Sequence, residues 1–520
     1  MHLIRLIRDC QEGFTTVTLM GVMAIGSLLV AGGFAAVDPD IGLSRDDQDH
    51  KQAYGAAEAG LQWYLSGLAR DNSYYVKCTT VSPPSASEPA PVNDAWDGEG
   101  TDPRVWRHLP GGDPAEYTVE LLPAPGYSAC DPSDQYSMVD PDGNLRLRVT
   151  GRSRGQARSV VATLRRRNFI DYIYFTHFET RDPSAYETSS LRNWAQSNCS
   201  KFRQQRSGSC TEIQFAPDDF VRGPLHSNDS IWVCGGATFG RPENHDKIEL
   251  NGASPGYVKL GSCNPTPQFD GLVIHPAGQL GMPSSNQALK TITQEAYRFE
   301  GRTIIDLQGD SMSVTRSNGV TEPMALPPNG VIYVENDICA SGYTYAQTYP
   351  ANASTGCGDA WVKGEYAGDL TIAADNDIVI NGDLERDEDG EGLLLGLIAN
   401  NFVRVYHPVT NPGTSSPSAS NCPNAAGALS NPEIHAAILA LNHSFVVDNW
   451  FCGADLGNLT VEGAIAQRYR GPVGTAGGTG YLKDYHYNDR LKFREPPYFL
   501  DPVQSAWRVA RQNEQVPAND

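Results

Sequence analysis

Five aspartates, Asp375, Asp377, Asp383, Asp387 and Asp389, crowd the stretch AADNDIVINGDLERDEDGEG. Paired carboxylates can act as acid and base across a glycosidic bond, or supply oxygen ligands to calcium. The same residue types are also what tight turns and solvated surfaces use. Asp-Asn-Asp and Asn-Gly-Asp sit between short apolar runs, so a structural role is the simpler expectation. His226, His407, His435 and His443 each follow a strand-like run without metal-ligand spacing. No HExxH or Walker A loop occurs, and such motifs are what would link these residues to a mechanism. The sequence therefore nominates no catalytic residue, no metal site and no cofactor. Calcium is the one ion the acid spacing could take, and no EF-hand pattern supports it.

Cysteine chemistry is more informative. Eleven cysteines are spread along the chain, none in a CxxC and none beside a histidine cluster, which argues against zinc and for disulfides in an oxidising compartment. Neighbours in sequence suggest Cys78 with Cys130, Cys199 with Cys210, Cys234 with Cys263, Cys339 with Cys357, and Cys422 with Cys452. Ten cysteines permit many other connectivities.

The elements that must hold these residues can be read from composition and periodicity. With 520 residues, 51 Gly and 35 Pro, the chain is turn-rich, β-leaning and long enough for more than one unit. Its net charge of −21 disfavours neutralising phosphates, and no nucleic-acid partner is expected. The dense basic run Arg165-Arg166-Arg167 reads as a solvated strand end.

Phe14 to Val37 contains no charge and would extend about 36 Å as a helix, enough for a bilayer core. Asp38-Pro39-Asp40 should interrupt it, and helical spacing resumes over 44–71 with Ala53, Ala57, Leu61, Tyr64, Leu65 and Leu68. Asp46, Asp47 and Asp49 read as a solvated helix start. Residues 79–115 read as a long loop. Alternation at Tyr117/Val119/Leu121, Leu145/Leu147/Val149 and Val160/Ala162/Leu164 predicts a small antiparallel sheet with one apolar face.

The leader MHLIRLIRDCQEG ends in Gly13 and is followed at once by Phe14-Thr15-Thr16-Val17-Thr18-Leu19. This resembles the class III signal of type IV prepilins, and AAEAGL at 56–61 resembles a segment of minor-pilin and pseudopilin helices. The resemblance implies a prepilin peptidase that cuts between Gly13 and Phe14, a retained helix that anchors the protein in the membrane, and later packing with other pilin-like subunits. It implies methylation of Phe14 as an option, and the cut removes Cys10, leaving ten cysteines. Thr18 stands at the fifth mature position, where major pilins usually carry Glu, and that departure suits a minor pilin near a filament tip.

From about residue 211 short apolar runs recur between Asn, Gly and Asp turns, clearest at 370–372, 378–380, 395–398 and 403–405. Such spacing predicts a parallel β-helix, with a β-sandwich as the alternative. Residues 284–300 read as a short helix or irregular excursion, and 410–432 as a polar loop tied by Cys422. The expected organisation is a leader 1–13, a membrane and filament-core helix 14–37, a pilin-like helix and antiparallel sheet 38–168, a connecting segment 169–210, a β-solenoid-like domain 211–480 and a C-terminal cap and tail 481–520. The expected protein is mainly β with one long helix, noncatalytic, single-pass in the membrane and otherwise extracytoplasmic, on the cell surface or a pilus, for adhesion or assembly. A surface glycan or protein is the expected ligand. The alternatives are a membrane-anchored polysaccharide-active enzyme and a plain envelope binding protein.

Overall fold

A computed structural model describes residues 16–71, 73–78, 106–109, 114–132, 134, 137–140, 143–259, 266–339, 345–346, 349, 356–387, 392–412, 418–475, 478–492, 494–503 and 507–515, without the side chains of 16–18 and 30–44. The fold is mainly β, with one long helix and large sheets.

The helix runs from Thr16 to Arg70, through Asp38-Pro39-Asp40 rather than stopping there. A proline inside a helix forfeits one backbone hydrogen bond and crowds the carbonyl four residues earlier, a local penalty of roughly 3 kcal/mol. The helix continues through Pro39 all the same, so the expected interruption is absent. Asp47 pairs with Lys51 one turn on, and Asp49, expected in solvent, is buried beside Arg154.

Toward its C-terminal end the helix buries Ala53, Ala56, Ala57, Leu61, Tyr64 and Leu68 completely. They face an antiparallel sheet ordered Arg107–His108, Glu116–Leu122, Asn144–Ser153, Gln156–Arg166 and Trp507–Gln515. Its inner side chains, Val119, Leu121, Leu145, Leu147, Val149, Val160, Ala162 and Leu164, are fully buried. Gly151 lets the layers close: a Cβ there would lie 2.0 Å from the Ala53 carbonyl oxygen and 2.5 Å from the Ala57 nitrogen.

The rest of the chain forms parallel strand stacks. One runs Arg298–Glu300, Val331–Glu335, Leu370–Ala374, Leu395–Ala399, Glu433–Ala440, Asp455–Arg470. There chain order breaks, because Asp455–Arg470 next pairs with Tyr174–Arg181, followed by Leu225–Ser227, Lys247–Glu249 and Leu272–Ile274. A second stack joins Thr303–Gly309, Ala360–Tyr366, Ile378–Arg386, Val403–Val405 and Phe445–Val447. A third joins Asp455–Arg470, Thr479–Tyr487, Phe220–Arg222, Thr238–Phe239 and Gln268–Phe269. Among the described residues, antiparallel pairing in this large sheet is confined to 303–325 and to Gly474–Thr475 with 479–480. Ile305, Ile332, Val362, Ile372, Ile380, Leu397, Val405, Ile438 and Ile465 point inward and are fully buried, because each pass covers the apolar face of the one before it.

The chain thus builds 174–274 first, crosses back, and stacks 298–487 against the strand it began with. The crossing lies where an excursion was expected and contains a helix, Gln287–Ile292. It pairs with successive strand ends on its way: Leu280 N with Asn228 Oδ1 (3.0 Å), then Asn286 Nδ2 with the carbonyls of Ala374 (2.9 Å) and Ile398 (3.0 Å), then Gln287 Nε2 with the Tyr333 hydroxyl (3.1 Å).

Three expected boundaries move accordingly. The segment 169–210 contributes the strand Tyr174–Arg181 rather than only connecting. Residues 481–487 are a strand of the third stack rather than a cap, since Tyr481, Tyr485 and Tyr487 point inward at period two. Trp507–Gln515 is the fifth strand of the antiparallel sheet rather than a tail. Arg165-Arg166-Arg167 is not a solvated end either. Arg165 is fully buried, donates to the Leu491 carbonyl at 2.6 Å and lies 3.5 Å from Glu495; Arg166 pairs with Asp501 and covers Trp507; Arg167 pairs with Glu249. The three arginines form the joint between sheet and stack.

Disulfides join Cys78–Cys130, Cys199–Cys210, Cys339–Cys357 and Cys422–Cys452. Cys234 is also disulfide-bonded; Cys263 lies outside the described residues.

Where Asp455–Arg470 meets Tyr174–Arg181, Arg470 and Glu179 form an ion pair at 2.9 Å with both side chains buried, and the guanidinium covers the Phe215 ring. Removing one partner of such a pair strands the other charge, a cost of about 3–5 kcal/mol. Glu179→Ala is expected to raise hydrogen exchange in 174–181 and 463–470 and to lower the thermal midpoint. Unchanged exchange in both segments would show that this contact does not hold the two halves together.

Candidate functional site

The first described turns of the helix expose Leu19, Met20, Val22, Met23, Ile25, Leu28 and Leu29, at 53% to 73%. At 3.6 residues per turn these positions surround the whole circumference. A helix that is apolar all round belongs in an apolar setting, lipid or other helices. Ser27 asks nothing polar of that setting, since its hydroxyl donates to the Met23 carbonyl at 2.8 Å. The other end of the same helix is packed on the antiparallel sheet.

Gly13 and Phe14, the expected processing pair, lie outside the described residues, as does Cys10; Thr18 lies in the helix, with its side chain not described. Among the described residues no helix is long and apolar enough to cross a membrane, so the expected single-pass anchor over 14–37 gains no support from the structure.

The described aspartates of the acidic stretch, Asp375, Asp377, Asp383 and Asp387, do not gather around a vacant centre. Asp375 accepts from the Tyr333 hydroxyl (2.5 Å), Gln287 Nε2 (2.6 Å) and the Asn336 amide (2.9 Å). Asp377 is buried, accepts from the Phe402 amide (3.0 Å) and pairs with Arg404, which also holds Asp448. Asp383 accepts from the Glu433 amide at 3.0 Å. The Asp387 amide donates to the Tyr366 carbonyl at 2.9 Å, and Asp389 lies outside the described residues. Asp375, Asp377 and Asp383 satisfy strand-end donors between passes.

The histidines are dispersed as well. His226 is buried between Glu249 (2.7 Å) and Asn228 (2.9 Å) and stacks on Phe175. His407 bridges the Asp448 carbonyl and Asn424, and His443 contacts Asp182 and stacks on Phe402. The imidazole of His435, alone of the four, makes no hydrogen bond among the described residues, and it lies beside Glu433 and Glu462. Glu385 joins that group; burial, then the neighbouring Glu433 and Asp383, push its carboxyl up from the usual range. Neither Glu385 nor Glu433 stood out in the sequence, because strand register, not spacing, brings them together.

A cleft of about 600 Å³ opens at the joint, lined by Arg167, Tyr172, Lys247, Glu249 and Arg508 among others. Arg167 is paired with Glu249 there, and Arg508 with Asp171.

No family model matches the chain, and no curated protein matches it. Among solved structures, the crystal structure of the competence-associated pilin ComZ from Thermus thermophilus is similar at 13% identity over 90% of this chain and 97% of that one. The TM-score is 0.27, too low for the likeness to carry an argument.

His177, on the strand Tyr174–Arg181, was not singled out in the sequence. Its Nδ1 lies 2.9 Å from the Asn228 amide nitrogen, and burial, with Arg468 nearby, pushes its pKa down to about 4. A depressed histidine pKa means the fold favours the neutral ring, so its contribution is complete above the ordinary value of 6.5 and is lost as pH falls toward 4. Wild type is expected to lose a few degrees more of thermal midpoint across that window than His177→Gln. Parallel pH profiles for the two proteins would show that the ring is not what titrates.

Proposed function

We propose that this chain is a noncatalytic, low-abundance pilin-like subunit of a type IV pilus or related filament. Prepilin peptidase cuts between Gly13 and Phe14, and the retained helix holds the protein in the membrane until it joins other pilin-like subunits. The apolar end of the helix then packs among their helices, where Thr18 places no charge. The bulk of the chain is displayed outside, and we read its parallel stacks as the coils of a disulfide-stapled β-helix that meets a surface glycan or protein, or starts assembly.

The observation that carries this reading is the helix itself. One end is apolar all round and uncovered, while the other is seated on a sheet. A filament core or a bilayer supplies the apolar surroundings the uncovered end requires. The noncatalytic reading is supported by Asp375 and Asp377, whose oxygens are engaged by turn amides, a tyrosine and an arginine. The disulfides support an oxidising compartment for everything after the helix.

Gly13→Ala removes the small residue at the cut. The variant is expected to accumulate with its leader attached and to fall at least tenfold in sheared, purified filaments, against unchanged total protein. Filament incorporation at the wild-type level would overturn the reading.

A further inference from the structure

The strands Ile378–Arg386 and Glu433–Ala440 meet at a single register pair, Leu384 with Ile434. The next junction, Glu433–Ala440 with Asp455–Arg470, runs for eight. Between them in sequence lie Leu395–Ala399 and Val403–Val405, which continue the ladders on either side of this pair.

On its outer face the register collects metal-ligating side chains. Glu385 follows Leu384 as His435 follows Ile434, so the two are neighbours. Glu433 precedes His435 by two residues and shares its face, and Glu462 stands opposite His435 on the following pass. Ligand atoms of Glu385, Glu433 and His435 all lie within 4.8 Å of one another. His435 Nε2 is 3.9 Å from Glu433 Oε2 and 3.9 Å from Glu462 Oε2. That is beyond a hydrogen bond, yet it suits two ligands of one ion, since donors about 2.0–2.2 Å from a metal lie roughly 3–4 Å apart.

Two further observations point to a ligand. His435 Nδ1 is buried without a hydrogen-bond partner, so neither ring nitrogen is committed within the protein. The carboxylates also outnumber their cations: Glu365 stands directly across from Glu385, and Arg386 is engaged with Glu462. Like charges opposed on a sheet are destabilising, and a bound cation would offset them.

We propose that Glu385, Glu433 and His435, with Glu462 in reach as a fourth ligand, bind a divalent transition-metal ion of the zinc class. An imidazole nitrogen among carboxylate oxygens selects such an ion over calcium, which takes six to eight oxygens. The ion clamps these two strands where their register shrinks to one pair.

The test is hydrogen exchange and equilibrium dialysis on the full chain in detergent micelles, with Zn(II) as probe. Zinc is expected to slow exchange in 383–386 and 433–436 and to bind with an affinity that falls at least tenfold in His435→Gln and in Glu433→Gln. The thermal midpoint of Glu433→Gln without metal is expected to match wild type, because that side chain is exposed. Wild-type exchange in these segments unmoved by zinc, or variants that bind zinc as wild type does, would overturn the proposal. The wild-type exchange measurement stands even if a variant fails to fold.

Discussion

The strand Asp455–Arg470 is hydrogen-bonded to Glu433–Ala440, Thr479–Tyr487 and Tyr174–Arg181, and together with the pairing of Thr479–Tyr487 to Phe220–Arg222 it makes the two separately built parts of the stack one. Without these two pairings, 174–274 and 298–487 would each end in open rows of backbone donors and acceptors, unpaired sheet edges. The join is fastened by buried ion pairs, Arg470 with Glu179 and Lys483 with Asp219. Such pairs add little net stability compared with apolar packing, but they tolerate no mispairing. A shift of one register would strand both charges, so the ionic contacts fix which strand meets which.

The same circuit determines how the helix is carried. The chain leaves the antiparallel sheet after Gln156–Arg166 and returns to it at Trp507–Gln515, so the stack lies between two adjacent strands of that sheet. Two covalent crossings and the Arg165–Glu495 contact leave the helix-bearing unit little freedom to turn relative to the stack. On the proposed reading, load on a helix held in a filament passes into the displayed domain through both crossings.

Local periodicity made much of this legible. The buried helix positions Ala53, Ala57, Leu61, Tyr64 and Leu68, and the inward residues of the strands around 119, 147 and 162, follow from spacings of 3.6 and 2. The runs at 370, 378, 395 and 403 were visible because apolar triplets between Asn and Asp turns have few other uses. What spacing could not reveal was long-range register. Arg165 looked like a solvated residue until Glu495 and the Leu491 carbonyl, more than 300 positions away, were placed against it. The Tyr481, Tyr485 and Tyr487 alternation was present in the sequence but was masked by the prolines and polar residues after it. Glu385 and His435 are fifty residues apart and share a site only through the Leu384–Ile434 pair. The aspartates that did draw notice, Asp375 and Asp377, are the ones the turns consume.

The central claim is that the apolar helix is kept in the mature protein and buried among neighbours. The most direct measurement is the amino-terminal peptide mass of the protein recovered from sheared surface material. The account predicts a chain beginning at Phe14, with or without a methyl group on its nitrogen. A chain beginning near Val37, or one retaining Met1, would contradict it.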